Sequence, residues 1–382
     1  MNLEPSEQRV VSCTRCIMNN KVNKEIEFDS QGLCHHCKRY DELVEKRMVH
    51  VNERTQALKD LVAKIKKAGV GQDYDCIVGV SGGVDSTYVA WLTKELGLRP
   101  LAIHLDNGWN SELAVSNIEK VLNGLKIDLF TRVLDWEEFK DLQIAFVKSS
   151  TPDGEIPTDH AIFATLWKEA AKKNIRYIIS GMNFATESIS VPNWSYGHSD
   201  WRYVKYIQSK FGSKKLKSYP HFSFFDLLWI NLIKRVRTVS ILNYVDFDKE
   251  LAMDMLQKDL GWVYYGGKHY ESIYTRFWQG YVLPRKFEID KRYGHLSDLI
   301  NSGQLTRDKA LELASTPVYP SVGLEEEDRQ FVLKKLGFSE EQFQSYMDSP
   351  PRNFREFPNN SGIVVWLKVI VNWMRSKKLY PK

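Results

Sequence analysis

A chain of 382 residues, 43% hydrophobic and 26% charged, has the composition of an ordinary soluble globular protein and is long enough for two or three domains around a large core. No uninterrupted apolar run reaches membrane-spanning length, and no basic segment followed by an apolar one opens the chain. A membrane span and a secretory signal are therefore not expected, which leaves a cytoplasmic protein as the default. The net charge of +5 is too small an excess to imply a nucleic-acid binder.

The first element in the chain is a pair of C-x-x-C knuckles, Cys13-Thr14-Arg15-Cys16 and Cys34-His35-His36-Cys37. Four thiolates at this spacing suit a tetrahedral zinc, and Gly32 before the second knuckle supplies the tight turn such ribbons need. With four ligands the ion is structural, because a catalytic zinc keeps one position for water. Disulfides are disfavoured in a reducing compartment, and a redox or iron–sulfur role is a further reading. His35 and His36 are taken as bystanders.

From about Asp41 the pattern turns helical, and Leu58, Leu61, Val62 and Ile65 recur at helical spacing until Gly69 ends the run. Tyr74 to Val80 then reads as a buried strand, Ser81-Gly82-Gly83-Val84-Asp85-Ser86 as a loop, and Thr87 to Leu96 as a helix. Two glycines let the backbone turn and approach a ligand closely, and the N–H groups opening the helix attract an anion. The G-x-x-x-x-G-K-[ST] spacing and its lysine are absent, so this is not the ordinary nucleotide P-loop. Instead SGGVDS resembles the PP-loop of the ATP pyrophosphatases, which split ATP between the α and β phosphates. That resemblance implies an ATP site at Ser81, Gly82, Gly83, Val84, Asp85 and Ser86.

Leu101 to Leu105 is a second strand, ending in Asp106-Asn107-Gly108-Trp109. Ligands gather beyond the carboxyl ends of parallel strands, which places His104 and Asp106 beside an adenosine; a plain turn is the other reading of Asp106-Asn107-Gly108. A third strand spans Asp128 to Val133. Thr158 or Asp159 caps a helix running to Lys173, and a fourth strand from Ile175 breaks at Gly181. Strands alternating with helices predict an α/β fold with a doubly wound parallel sheet. In PP-loop enzymes the Gly-x-Asn…Glu segment that follows contacts adenine and magnesium, so the resemblance implies those roles for Gly181, Asn183 and Glu187.

Beyond residue 190 the alternation fades into a mainly helical region rich in aromatic and basic residues. The runs from Lys214 to Lys217 and from Lys234 to Arg237, interleaved with aromatics, suit a grip on RNA or on a nucleotide-linked sugar diphosphate, with a solvated basic face the commonest reading, and Phe222 to Ile233 reads as a cap or a subunit contact. A second dense island runs from Gly261 through Gly266-Gly267-Lys268-His269 to Lys291-Arg292-Tyr293-Gly294-His295-Leu296-Ser297. Polar groups this concentrated suit a site that neutralises pyrophosphate and holds a polar substrate. These islands, the paired cysteines and Asp159-His160-Ala161-Ile162-Phe163-Ala164 resemble the N-acetyl sugar amidotransferases of bacterial surface-polysaccharide and nonulosonic-acid pathways. Three domains follow: a zinc ribbon over 1–45, a PP-loop domain over 46–195 and a substrate and partner region over 196–382.

The resemblance implies activation of an acetamido oxygen by AMP and its replacement by ammonia. Asp85 and Glu187 are candidate magnesium ligands and Lys268 the candidate transition-state cation. Asp159, His269, Glu271, Arg276, Lys286, Lys291, Arg292 and His295 are candidates to hold the sugar. No cysteine has a glutaminase setting, so a separate glutaminase is expected as partner, and the family resemblance implies that it comes with a cyclase-like ammonia-channel subunit. A tRNA thiolation enzyme is the rival reading, weakened because only Cys76 remains once a metal takes four cysteines. A zinc-stapled scaffold with a relic nucleotide pocket is a third.

Overall fold

The computed structural model describes residues 9–267 and 270–362. Its centre is a five-stranded sheet, parallel throughout, of β1 (Cys76–Gly79), β2 (Pro100–Asp106), β3 (Asp128–Val133), β4 (Tyr177–Ser180) and β5 (Arg237–Ser240) in the order β3-β2-β1-β4-β5. The order reverses between β1 and β4, and such a switch point leaves a crevice at the strands' carboxyl ends. The helices are α1 (His35–Arg47), α2 (Val51–Ala68), α3 (Val84–Glu95), α4 (Glu112–Leu125), α5 (Trp136–Ser149), α6 (Ile156–Lys172), α7 (Phe184–Glu187) and α8 (Trp201–Phe211), with more helix following.

Alternation along β1 explains the double winding. Cys76 and Val78 join a core with Ile65 of α2, Val89 of α3 and Val121 of α4 on one face, while Ile77 meets Ala170 and Ala171 of α6 on the other. As the pattern predicts, Leu58, Leu61 and Val62 pack beside Ile65 on that first core. β3 closes one edge of the sheet and is mostly exposed.

The elements differ from expectation in several places, α3 among them, which starts at Val84 inside the expected loop. The first helix starts at His35, inside the second knuckle, with Cys34 in the capping position. α6 begins at Ile156, with Glu155 rather than Thr158 or Asp159 in the N-cap position and no side-chain cap, because Pro157 is preset for a first helical turn. The sheet extends past residue 195, since β5 at Arg237–Ser240 hydrogen-bonds to β4. Phe222 to Ile233 is not a packed cap: within it only Phe222 and Ile230 are buried.

The ribbon is stitched to the far end of the chain. The Arg307 guanidinium donates to the carbonyls of Cys16 and Cys13 at 3.3 Å each, and Ile17 packs with Leu296 and Ala310. Gly32 has φ +77° and a side chain there would meet Thr14 at 2.7 Å, so the turn demands glycine.

Candidate functional site

Between β1 and α3 the loop closes on itself. The Ser81 hydroxyl lies 3.2 Å from that of Ser86, Gly83 N–H donates to Ser81 Oγ at 3.3 Å, and Ser86 Oγ donates to the Gly83 carbonyl at 3.1 Å. Gly82 turns at φ +84°, and a Cβ there would stand 2.6 Å from the Ala114 carbonyl of α4. Its own carbonyl accepts from Trp262 Nε1 at 2.9 Å, so the second island is pinned to the loop. The Tyr265 hydroxyl meets the backbone of Val84, and burial, then the Glu271 charge, push its phenol up.

The loop opens onto a cavity of about 470 Å³ at the carboxyl ends of β1, β2 and β4. Ser81, Gly83, Val84, Asp85, Ser86, His104, Gly181 and Glu187 line it, together with Asp159 and Glu271. His104 is buried: Nδ1–H donates to the Val80 carbonyl at 2.9 Å and Nε2 accepts from Asn110 at 3.1 Å, which fixes the tautomer and braces the loop's base.

Three residues expected at the nucleotide do not line it: Gly82 faces Ala114 and Trp262, and Asp106 and Asn183 lie elsewhere. Asp106 is the turn former: its Oδ1 accepts from Gly108 N–H at 2.9 Å, and Asn107 lines the cavity in its place while donating to Thr158 at 3.0 Å. Asn183 is buried behind the wall and donates to the Gly181 carbonyl at 3.4 Å. Lys268 and His269 lie outside the described residues. Among the described residues the lysines that line this cavity are Lys249 and Lys291. Neither Lys249 nor Asn107, Asn110, Glu155 and Gln279 carried a sequence signal beyond being polar.

A second cavity of about 420 Å³ adjoins the first, and both are lined by Glu187, Gln279 and Lys291. At this junction Lys291 Nζ lies 2.6 Å from Glu155 Oε2, and Gln279 donates to both Glu155 oxygens at 2.9 and 3.1 Å. The second cavity is walled by Trp194, Tyr270 and Tyr319 and reached by Arg276, Arg292 and His295. Arg276 is held by a bidentate pair to buried Asp328 at 2.6 and 2.7 Å, and Arg292 by Asp290 and the carbonyl of Thr316 at 3.0 Å. Lys286 reaches neither cavity. Its ammonium binds the carbonyls of Tyr346 and Ser349 at 2.5 Å each, a cation at the end of the helix Glu340–Asp348.

The four cysteines of the ribbon are buried and unbridged, with sulfur atoms within 4.8 Å of one another. Cys13–Cys37 and Cys16–Cys34 are 3.9 and 3.7 Å apart, against the roughly 3.8 Å that tetrahedral Zn–S bonds of about 2.3 Å require. Arg15 N–H and Cys34 N–H point at Cys13 Sγ from 3.4 and 3.3 Å. Asn301 Oδ1 is 3.3 Å from Cys37 Sγ, while its buried Nδ2 has no partner. Turning that amide by 180° gives an N–H···S bond, as a metal-bound thiolate calls for. His35 and His36 are engaged elsewhere, with Glu27 N–H at 3.0 Å and Asn23 at 2.9 Å. The fifth cysteine, Cys76, is fully buried, and burial pushes its thiol up.

Residues 271–373 match the family model of the C-terminal domain of WbpG-like LPS biosynthesis proteins; 363–373 of these lie outside the described residues. No curated protein matches the chain. Among solved structures, an NMN synthetase from Francisella tularensis is similar at 14% identity over 75% of this chain and 96% of that one, with a TM-score of 0.33. An NH3-dependent NAD synthetase from Campylobacter jejuni is similar at 16% identity over 54% and 82%, TM-score 0.29. A predicted subunit of tRNA methyltransferase from Methanocaldococcus jannaschii is similar at 15% identity over 48% and 74%, TM-score 0.27.

Proposed function

From a PP-loop fold joined to a WbpG-like C-terminal domain, we propose that this protein is an ATP-dependent amidotransferase acting on an N-acetyl sugar. The observation that carries the reading is the junction: a cavity on the SGGVDS loop meets a cavity walled by the C-terminal domain at Glu187, Gln279 and Lys291. ATP in the first would present its α-phosphate toward an acetamido group in the second. The three domains then divide the work into ribbon, nucleotide domain and substrate region, with β5 lent to the nucleotide sheet.

An acetamido carbonyl is a poor electrophile because its nitrogen donates into it. Attack of the amide oxygen on the α-phosphorus forms an O–P bond and breaks the bond to pyrophosphate. Ammonia then adds to the activated carbon, AMP departs with the oxygen, and an acetamidino group remains. Backbone N–H groups of the loop stabilise charge on the leaving pyrophosphate, and Lys291 and Lys249 supply cations in the same cavity. Asp85 and Glu187 both line it and would hold magnesium, which when bound neutralises phosphate charge. The cysteine cluster would hold a structural zinc. Ammonia would come from a separate glutaminase with its cyclase-like channel subunit. Sulfur transfer is disfavoured because all five cysteines are buried.

Incubation with ATP, magnesium, ammonium and a panel of acetamido sugars should release AMP and pyrophosphate and yield a product about one mass unit lighter, since NH replaces O. Pyrophosphate release only in the presence of tRNA and a sulfur donor would overturn the proposal.

A further inference from the structure

Between α8 and β5 the chain forms a helical turn, Phe224–Leu228, that runs straight into a wider π-helical turn, Trp229–Ile233. The pair is anchored by Ile230, which is 2% exposed, and by the capping box of Ser223 and Asp226. Six of its ten residues turn outward: Phe224, Phe225, Leu228, Trp229, Leu232 and Ile233 are 40, 78, 39, 48, 59 and 69% exposed. Scattered exposed apolar residues are normal, but a contiguous row of this kind marks a contact surface.

What the row contacts follows from the charge beside it. Lys234, Arg235 and Arg237 follow directly, and Lys168, Lys172, Lys173 and Arg176 belong to α6 and its following turn, which packs on the row through Ile230, Ala170 and Ala171. The two groups are joined, since Lys234 Nζ donates to Asn174 Oδ1 at 3.1 Å and Arg237 N–H to the Arg176 carbonyl at 2.8 Å. Within 168–176 and 222–237 only Glu169 and Asp226 oppose these seven cations. Asp226 is engaged in the helix cap. Lys234 also lies 5.3 Å from the centre of the Trp229 ring, so an ammonium sits at the margin of the apolar row.

An exposed row of Phe, Trp, Leu and Ile bordered by cations matches one kind of partner closely: an apolar layer beneath an anionic surface. We propose that Phe224–Ile233 and its basic border dock this protein reversibly on a membrane surface rich in anionic lipid. In sequence, the chain repeats the same composition once more, with Ile363, Val364, Val365, Trp366 and Leu367 followed by Arg375, Lys377 and Lys378.

The test is co-sedimentation of the full chain with phosphatidylcholine vesicles, with and without phosphatidylglycerol. Binding is expected with the anionic vesicles alone and should weaken as salt rises. Phe225→Asp with Trp229→Asp should lower vesicle affinity about tenfold or more, and Arg235→Glu with Arg237→Glu should lower it similarly, each with an unchanged melting temperature because the side chains are exposed. Absence of binding to either vesicle overturns the proposal, as does binding that survives both double substitutions. A dimer in solution that the apolar pair converts to monomer, without vesicle binding, would instead assign the row to a second copy of this chain.

Discussion

On the loop side of the crevice, Ser81, Gly83, Val84, Asp85 and Ser86 line one cavity from a single strand–loop–helix unit, and two of their hydroxyls bond each other. At the junction of the two cavities, Glu155, Gln279 and Lys291 arrive from separate stretches of chain and are held by one another, beside Glu187. The first kind of site is preserved as long as one strand–loop–helix unit folds. The second depends on how the C-terminal region is seated against the sheet, and the ribbon helps to seat it through Arg307 and Ser297.

Metal removal should separate the two ends most widely. Chelation would release the four ribbon thiols from the proposed zinc, and structural zinc contributes on the order of 10 kcal/mol to the folding of isolated zinc modules. The ribbon cysteines share a core with the C-terminal aromatics, whereas β1, α3 and α4 belong to another. ATP affinity, measured by titration, should stay within about threefold while acceptor-dependent pyrophosphate release falls at least about tenfold. Equal loss of both would show that the two ends are not separable.

Substitution within the loop should act on chemistry without touching the acceptor end. Asp85→Asn keeps the shape of a residue in the first turn of α3 and removes its charge, so kcat for AMP formation is expected to fall about 10²–10³-fold. Binding of the acetamido sugar, read by calorimetry, should not change. A variant that binds sugar poorly but adenylylates at the normal rate would reverse the roles assigned to the two cavities.

The nucleotide side carries its own pH dependence. His160 of α6 is buried and His198 half-buried, His160 Nδ1–H donates to the His198 carbonyl at 2.6 Å, and His198 stacks on the cavity-lining Phe163. Burial lowers both imidazoles to about 4, from an unperturbed 6.5. Below 6.5 the unfolded chain takes up protons that the folded one refuses, so stability present above that pH is lost progressively down to about 4 and levels off below. Each histidine contributes up to about 3 kcal/mol by this route, and urea midpoints between pH 7.5 and 4 would measure it.

The same contrast explains what could be read from the chain before folding. The loop, the cysteine pairs and the parallel sheet are written in short-range patterns whose geometry is local, and each took the expected form. The junction is not local. Asp106 and Asn107 are adjacent polar residues at a strand end, and only the turn, with Asp106 accepting from Gly108, decides which of them faces the cavity. Lys286 and Lys291 look equivalent in sequence, yet one is claimed by helix-end carbonyls and the other by Glu155 across 136 residues. Glu155 itself reads as an ordinary acid ahead of a proline.

The smallest effect is the most specific to the acceptor end. Glu155 accepts from both Lys291 and Gln279, so its part is to aim the Lys291 ammonium at the boundary of the two cavities. Glu155→Gln keeps an acceptor and loses the charge, and should lower kcat by about fivefold, roughly 1 kcal/mol, with little change in KM for ATP. Lys291→Met should cost more, about 10–100-fold, because the cation itself is gone. In Glu155→Gln with Lys291→Met the loss should equal that of Lys291→Met alone, since a positioning residue has nothing left to position. Full additivity would mean that Glu155 acts independently of the lysine, and the junction would then consist of neighbours rather than of a coupled unit.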